Sequence, residues 1–516
     1  MKRLLALFFC IILTAGLFSG CGSEETPYVP TGDGLTWDED YTGPVNSGEQ
    51  LPSDQALKLT YYPDRSMNPY LCTDFTNRAL FSLLYQSLFA VDRSYNVEPQ
   101  LCSRYRVSQD MKTYSFYIEK ATFTDGSLLT PQDVAASLLA AKDSAIYSGR
   151  FQHISEISVS ADEAVVIKLS TPFENLPVLL DIPILKQSQL QAAYPLGTGP
   201  YYMDVTAQTP LLRRNTNWWC QAEMIVTAPA ITLTAAESIA GIRDQFEFEG
   251  LSLVCADPGS DRYADYRCDY ELWDCENNIF LYLACNMESE VFSDPAVRSA
   301  LVRAIDRDTL VEDYYRGFAR SAVLPASPMS PNYSQVLASK YAYDNGESFV
   351  QAVTNGRKTN KEIILLVNSD DTLRVRVARS IGQMLTSYGL KVQMQELSTS
   401  KYQQALKQKK YDLYLGQTKL SPNMDLSAFF ATKGALNFGN ISDVTMYTLC
   451  TEALANHGNY YTLHKSILDD GRLCPILFRS YAIYAIRGLL TGLTPARDNV
   501  FYYSLGKSMD KALIKE

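Results

Sequence analysis

The sequence predicts a mixed α/β protein with more than one domain. Between residues 361 and 416, apolar segments of strand length alternate with an amphipathic segment of helical length, which is typical of a βαβ arrangement. Hydrophobic residues make up 46% of the chain and charged residues 20%, a balance typical of folded globular proteins. The 516 residues predict two or three domains, because one domain usually has roughly 100 to 200 residues.

The first twenty residues are predicted to be a lipoprotein signal peptide. Lys2 and Arg3 precede an apolar stretch over residues 4–18, which is shorter than the roughly 20 residues that a membrane-spanning helix needs. The segment from Phe18 to Cys21 resembles a bacterial lipobox, except that Phe18 stands where Leu is usual. Cys21 is therefore the predicted lipidated N-terminus. An uncleaved anchor is the alternative, and both place the protein outside the cytoplasm.

Residues 21–50 are predicted to be a lipid anchor and a flexible tether. The segment is rich in Pro, Gly, Ser and Glu and has no sustained apolar period. As a flexible coil it would span roughly 30 Å. We therefore expect the folded body to be held on the outer face of the bacterial cytoplasmic membrane.

Charge and motifs exclude several classes of function. The 46 basic and 57 acidic residues give a net charge of -11. A nucleic-acid-binding protein needs an excess of basic residues, so this class of function is excluded. The chain has three histidines, His153, His457 and His464, and no HExxH, GxSxG, P-loop or GxGxxG motif. We predict no catalytic residue, no metal site and no cofactor. An extracellular hydrolase with carboxylates far apart in the sequence stays as a remote alternative.

The first part of the body begins with a predicted strand at Leu57–Tyr61 and a predicted helix at Thr76–Ala90. A strand at Thr113–Ile118 and a turn at Asp125-Gly126 follow. The next helix begins after Thr130, a natural N-cap, with Pro131 in the first turn and Asp133 completing a capping-box-like arrangement. This helix is expected to run to about Ala141.

The later elements follow from the same two periodicities. Further strands are predicted at 154–160, 164–169, 361–367, 392–397 and 411–416, and helices after Asp294-Pro295 and from Leu373 to Tyr388, where Gly389 ends the helix. Nine cysteines lie beyond residue 50, so at least one is unpaired. No CxxC spacing occurs among them, and both disulfides and buried thiols stay open.

Six short segments resemble those of a known family in the same order. They are Asn68-Pro69, Phe123–Gly126, Thr130–Val134, Gly197–Tyr201, Arg214–Trp219 and Val297–Arg307. Behind a lipobox and a tether, they resemble the family 5 extracellular solute-binding proteins, the peptide- and nickel-binding lipoproteins of ABC importers. The resemblance covers roughly residues 57 to 505. Several of these segments are turns and caps, and Trp218, Trp219 and Arg298 are expected to serve packing or ion pairing rather than ligand binding.

The resemblance implies a two-lobed periplasmic-binding-protein-like fold with an extra domain inserted in the first lobe. Lobe I would comprise residues 51–78, 195–284 and 478–516, the inserted domain 79–194 and lobe II 285–477. Crossing segments are expected near Leu281–Asn286 and Ile476–Ser480. The lobes would close around a ligand by hinge motion.

The resemblance also implies where a ligand lies. The family's main ligand segment reads Gly-Trp and, after two further residues, Asp, where the Asp pairs with the α-ammonium of a peptide. Here Gly416 is followed by Gln417, and Leu420 holds the position of the Asp. Because a buried ammonium without an anion is costly, either another carboxylate serves, with Asp425 the nearest, or the ligand has no free amine there.

The backbone of Gln417–Lys419 could still pair with an extended ligand, since main-chain hydrogen bonds do not depend on side-chain identity. Replacing Thr418 with Pro is predicted to weaken such pairing. The expected ligand-binding side chains are Asn68, Tyr70, Asn286, Gln417, Thr418, Lys419, Asp425, Asn437 and Phe438.

The function predicted from the sequence is a monomeric, membrane-anchored solute-binding protein that captures oligopeptide-like solutes and delivers them to an ABC permease. A glycan or other non-peptide binder of the same fold is one alternative, which the 34 Tyr and 21 Phe suggest. A tethered peptide-sensing receptor is the other, because its binding physics is the same.

Overall fold

The computed structural model describes residues 57–514 except 208, 221, 223, 225, 261–265, 355–360 and 491. The predicted signal peptide, the lipobox with Cys21 and the tether lie outside the described residues.

The strands run from near the beginning of the described chain to residue 486. They are β1 (Leu57–Tyr61), β2 (Phe89–Val91), β3 (Val97–Pro99), β4 (Cys102–Val107), β5 (Thr113–Ile118), β6 (Ile154–Val159), β7 (Val165–Leu169), β8 (Tyr201–Asp204), β9 (Leu211–Arg214), β10 (Ala230–Ala235), β11 (Leu253–Ala256), β12 (Tyr270–Cys285), β13 (Ala319–Ser321), β14 (Glu362–Asn368), β15 (Lys391–Leu397), β16 (Leu413–Lys419) and β17 (Leu473–Ile486).

Helices are interspersed among the strands and are denser after residue 295. They are α1 (Phe75–Arg78), α2 (Phe81–Leu84), α3 (Pro131–Lys142), α4 (Ile239–Phe248), α5 (Pro295–Ala304), α6 (Arg307–Tyr315), α7 (Gln335–Ser339), α8 (Glu347–Thr354), α9 (Thr372–Ser387), α10 (Thr399–Gln408), α11 (Ser427–Phe430), α12 (Val444–Ala455), α13 (Tyr460–Asp470) and α14 (Met509–Ala512). The mixed α/β class predicted from the sequence is confirmed.

The strands form three larger sheets and one small one. A four-stranded sheet has the order β1-β10-β9-β8, and an antiparallel sheet has the order β4-β5-β7-β6. The largest sheet has the order β11-β17-β12-β16-β14-β15, with β13 also pairing with β17, while β2 and β3 form a two-stranded ribbon. The β4-β5-β7-β6 sheet lies entirely within the predicted inserted domain, but the domain limits themselves stay a prediction.

Two long antiparallel strands run through the predicted lobe boundary. β12 and β17 pair from Tyr270 opposite Ile486 to Ala284 opposite Leu473, with an irregularity between Glu276 and Phe280. Both predicted crossing segments begin inside these two strands, and the largest sheet is therefore continuous across the predicted boundary.

Local sequence signals explain where several elements begin and end. The side chain of Thr130 accepts from the Asp133 N–H while the Asp133 carboxylate accepts from the Thr130 N–H, which confirms the predicted capping box of α3. Helix α9 ends just before Gly389, whose φ of 99° suits glycine and stops the helix as predicted.

The single helix predicted over Thr76–Ala90 is wrong, since the chain forms α1, α2 and then β2 there. The Leu84 carbonyl accepts the Gly199 N–H at 3.1 Å instead of continuing a helix. A Cβ at Gly199 would lie 2.5 Å from the Leu84 carbonyl carbon, so the close approach requires glycine. Pairing with a distant backbone thus ends the helix, which its apolar spacing alone did not predict.

Buried side chains fill two large clusters. One cluster contains Phe116 and other residues of the predicted inserted domain. It also contains aromatic residues around β16, among them Tyr282, Tyr414 and Phe429. The other lies between the largest sheet and the helices α5, α6 and α9.

The nine cysteines among the described residues are all free thiols, and six of them are buried. No helix in this part of the chain is long and apolar enough to cross a bilayer.

Candidate functional site

The second half of β16 has an edge that no other strand covers. β16 pairs with β12 from Leu413 opposite Cys285 to Lys419 opposite Ile279, but with β14 only at Leu413 and Tyr414. Among the described strands, none pairs with the other edge of residues 415–419. An extended ligand can add to such an edge as an extra strand.

The register decides which main-chain groups this edge offers. The Leu420 N–H donates to the Asn278 carbonyl at 3.0 Å. Residues of an antiparallel strand alternate between bonding to the partner and pointing away from it. The main-chain groups of Thr418 therefore bond to β12, whereas those of Gln417 and Lys419 point to the uncovered edge.

Gly416 leaves room for the ring of Tyr282, the residue opposite it on β12. A Cβ at Gly416 would lie 2.4 Å from Cζ of Tyr282, which is buried and packs its ring against Phe280 and Phe429. A larger residue would displace this aromatic group and shift the uncovered edge.

A cavity of about 100 Å³ lies beside the end of β16. Arg78, Arg150, Asp181, Arg497 and Asp498 line it, together with Tyr and small polar side chains. Asp181 forms ion pairs with both Arg150 and Arg497, and Asp498 forms an ion pair with Lys419. The cavity is thus connected to β16 through the side chain of Lys419.

The ion pair at this end of β16 is partly exposed, with 39% of the Lys419 side chain and 19% of the Asp498 side chain accessible. Burial alone would raise the pKa of Asp498, but Lys419, Arg78 and Arg497 lower it below its usual value. Burial also lowers the pKa of Lys419, which the Asp498 charge opposes. Both groups are therefore held in the cleft as a charged pair.

A tight turn presents these charges. Ala496 and Asn499 pair through both main-chain hydrogen bonds, and Arg497 and Asp498 between them have φ values of 25° and 42°. Positive φ at two successive residues usually requires Asn or Gly. The turn therefore keeps two charged residues in an unfavourable backbone conformation, which is a feature of binding sites.

A second cavity, of about 360 Å³, is connected to β16 through Gln417. Oε1 of Gln417 accepts a hydrogen bond from Arg479 at 3.3 Å. Nη2 of Arg479 lies 2.9 and 2.7 Å from the two carboxylate oxygens of Asp257, a residue that lines this cavity. Stacked rings of Phe75 and Tyr481 form part of its wall. The uncovered edge of β16 is therefore linked to an acidic and aromatic cavity as well as to the smaller one.

The predicted inserted domain and lobe II contact each other along a seam near this site. Nε2 of His153 lies 2.9 Å from the Asp425 carboxylate, and the Glu174 N–H donates to the Leu454 carbonyl at 2.9 Å. Burial alone would raise the pKa of Asp425, but hydrogen bonds from His153 and Ser427 lower it. Asp425 is therefore engaged in the seam rather than in an open cleft.

Two predicted ligand-binding residues before the inserted segment are buried and bond to the backbone. The Asn68 amide donates to the Leu190 and Ala192 carbonyls at 2.8 and 3.1 Å. The Tyr70 hydroxyl donates to the Pro183 carbonyl at 2.6 Å. They tie the beginning of the fold to residues 183–192, and their role in ligand binding stays a prediction.

The three predicted residues in lobe II outside β16 and its following loop are placed in a similar way. The Asn286 amide donates to the Lys409 and Tyr411 carbonyls at 3.2 and 2.8 Å. Asn437 bonds to the main chain of its own loop, and Phe438 packs edge-on against Tyr414. Of the predicted residues, Gln417 and Lys419 are the ones whose main-chain groups lie at the uncovered edge, while those of Thr418 bond to β12.

No sequence signal predicts the charged residues of the smaller cavity. Arg78, Arg150, Asp181, Arg497 and Asp498 come from four distant segments, and no spacing connects them. The turn at 496–499 gives no warning either, because Asp is a common turn residue. Among the described residues, no group of three His, Cys, Asp or Glu is arranged to hold a metal ion.

Comparison with known families gives a match over most of the folded body. The model of the bacterial extracellular solute-binding proteins, family 5, matches residues 96–438. That range covers most of the predicted inserted domain, β12, β16 and the His153–Asp425 contact of the seam.

Curated relatives are more distant and cover part of the chain. The glutathione-binding protein GsiB of Escherichia coli strain K12 is 26% identical over 335 residues, which are 58% of this chain and 64% of GsiB. GsiB of Salmonella choleraesuis is 25% identical over the same share. The chain thus spans somewhat less than two thirds of these relatives.

Solved structures share the fold across nearly the whole chain. CtaP of Listeria monocytogenes, an ABC transporter substrate-binding protein, has a TM-score of 0.68 at 16% identity, covering 87% of this chain and 97% of CtaP. AppA of Bacillus subtilis, bound to a nonapeptide, has a TM-score of 0.59 at 19% identity, covering 88% and 99%. NikZ of Campylobacter jejuni, bound to Ni(L-His), has a TM-score of 0.60 at 18% identity, covering 89% and 98%. These proteins have the two-lobed periplasmic-binding-protein fold, which confirms the predicted fold of this chain.

Proposed function

This chain belongs to family 5 of the bacterial extracellular solute-binding proteins, and we propose that it captures an oligopeptide-like solute and delivers it to an ABC permease. Members of this family bind solutes for ABC importers and are not enzymes. The proposed solute is oligopeptide-like and is held between the two lobes.

The uncovered edge of β16 is the observation that carries the proposal. Gln417 and Lys419, the two outward-facing residues on either side of Thr418, offer main-chain donors and acceptors at the spacing of an extended peptide. Such contacts accept peptides of mixed sequence, because every residue of a peptide has the same backbone. The relatives that bind glutathione and a nonapeptide are consistent with this class of solute.

The direct test is to identify what the purified protein carries. The chain from residue 21 onward is analysed by native mass spectrometry, and any bound solute is released by denaturation and sequenced. We expect a heterogeneous set of short peptides. A single non-peptide species would contradict the peptide proposal and favour the alternative of a non-peptide binder.

A deletion strain assayed for peptide uptake and for peptide-dependent gene expression separates an importer subunit from a sensor.

We also propose that Cys21 is lipidated and that the mature protein is a monomer tethered to the outer face of the cytoplasmic membrane. Replacing Cys21 with Ser should release the protein from the membrane fraction. Retention of the Cys21→Ser variant after high-salt washing would indicate the uncleaved-anchor alternative.

A further inference from the structure

The smaller cavity beside β16 contains an arginine without an acidic partner. Arg78 lies near the rings of Phe81 and Tyr147, with Cζ 5.9 Å from each centroid, and donates to the Cys72 carbonyl at 3.4 Å. Its guanidinium also interacts with the Tyr147 hydroxyl and with the charge of Asp498, whose ion pair in the described structure is with Lys419. Its charge therefore faces the cavity without a bidentate partner, which is the arrangement in which Arg binds carboxylates.

The cavity is net positive although the chain as a whole is acidic. Arg78, Arg150 and Arg497 line it, against Asp181 and Asp498. Asp181 is shared by two of the arginines, and Asp498 is already paired with Lys419. The carboxylates of the protein thus leave positive charge in the cavity that an anion would complement.

Unpartnered polar atoms surround the same space. Nε of Arg497, Oγ of Ser82 and Oδ1 of Asn499 are buried and have no hydrogen-bond partner within the protein. Arg497 is 7% exposed, so leaving its Nε–H unpaired is costly unless a ligand accepts from it. Two of these atoms can donate to an anion, and the third can accept an N–H from an amide.

Close to β16, the described carboxylates are already engaged and leave none free for an ammonium group. Leu420 is buried, and Asp425 bonds to His153 and Ser427 in the seam. The acidic residues nearest to the other side of β16, Asp257 and Glu276, have arginine partners in Arg479 and Arg320. A charged amine at the cleft would therefore compete with existing ion pairs.

We propose that this protein recognises its solute by a carboxylate end placed against Arg78, and that a free amino end is not required. The inference rests on the proposed capture of peptide-like solutes and names the part of the solute that is recognised. The carboxylate accepts from Arg78, Ser82 and Nε of Arg497, while a peptide N–H donates to Asn499. The remainder of the solute runs along the uncovered edge of β16.

The test compares three mixed tetrapeptide libraries of the same composition: one with free ends, one acetylated at the amino end and one amidated at the carboxyl end. The mature protein is incubated with each, and retained peptides are quantified by mass spectrometry after ultrafiltration. We expect the free and acetylated libraries to be retained equally and the amidated library about 10- to 100-fold less, the loss that corresponds to a charge-assisted hydrogen bond.

Other outcomes of the library comparison overturn the proposal in distinguishable ways. Equal retention of all three libraries, or selective loss of the acetylated one, contradicts recognition by the carboxylate and leaves peptide capture intact. Retention of none contradicts peptide capture and the present proposal with it.

Variants assign the effect to the cavity. Arg78→Gln should lower retention of the free library to the level of the amidated one, while Arg213→Gln, at an exposed ion pair with Asp204, should bind as the parent protein does. Ser82→Ala removes a hydroxyl with no partner in the protein and should weaken retention of the free library without lowering thermal stability. If both cavity variants fold and bind the free library as the parent does, the assignment to this cavity is wrong.

Discussion

Leu420 and Asp425 are the two positions at which the sequence left open how a peptide amine would be bound. Leu420 is buried and its main chain bonds to Asn278, so the residue serves β16 and not an ammonium group. Asp425 supplies the charge nearest in sequence, but it is held by His153 across the seam. The structure thus answers part of the question that the sequence left open, because neither position offers a free carboxylate.

His464 on α13 is a buried residue whose titration can be predicted. It is fully buried, and neither ring nitrogen has a hydrogen-bond partner within the described protein. Burial lowers the pKa of His464 to about 3, below its ordinary value. Since the unfolded chain binds a proton near pH 6.5, stability is highest above that pH and is lost as the pH falls towards 3, by up to about 1.4 kcal/mol per pH unit.

Urea unfolding at pH 4, 5 and 7 tests this expectation. His464→Leu should show a smaller loss of unfolding free energy between pH 7 and pH 4 than the parent protein. His457→Gln, at an exposed position, is the matched control and should keep the parent's pH dependence. An identical slope for His464→Leu and the parent would contradict the assignment.

At the scale of elements, β16 is the strand on which the proposed peptide binding depends. The sequence placed it at 411–416, whereas the structure extends it to Lys419 and therefore into the predicted ligand segment. The extension is supported by pairing with β12, a strand about 130 residues away along the chain. Long-range pairing of this kind cannot be inferred from local periodicity.

Two proline variants distinguish the edge of β16 that pairs with β12 from the uncovered edge. Thr418→Pro was predicted from the sequence to weaken ligand pairing, but the Thr418 N–H faces β12. That variant should instead break the ladder and destabilise the protein by about 3 kcal/mol or more. Gln417→Pro removes an outward N–H, and we expect weaker peptide binding with a smaller loss of stability.

Thermal unfolding and peptide retention measured on both variants test this pair of expectations. Gln417→Ala is the matched control, because it removes the side chain and keeps the N–H. Peptide binding by Gln417→Pro equal to that by Gln417→Ala would contradict strand addition at this edge.

At the scale of the whole molecule, contacts along the seam hold the predicted inserted domain against lobe II. Hinge motion about β12 and β17 would break the His153–Asp425 contact when the cleft opens. The irregular pairing at Glu276–Phe280 is a suitable place for such bending, since Asn278 within it has a φ of 57°.

Removing the seam contact should therefore weaken solute binding. Asp425→Ala is expected to raise the peptide Kd about tenfold, because the closed state loses a charge-assisted hydrogen bond that the open state does not have. Glu156→Gln, at an exposed ion pair with Lys168 in the same segment, is the control. An unchanged Kd for Asp425→Ala would show that the seam does not contribute to closure.

The sequence by itself determined the α/β class, the family resemblance and several element boundaries. The capping box at Thr130 and Asp133 and the end of α9 at Gly389 depend on interactions within a few residues, which local sequence specifies. Only the tertiary structure decided the break between α2 and β2, the length of β16 and the cavity around Arg78. These features depend on residues as far apart in sequence as Arg78 and Asp498, which line one cavity once the chain has folded.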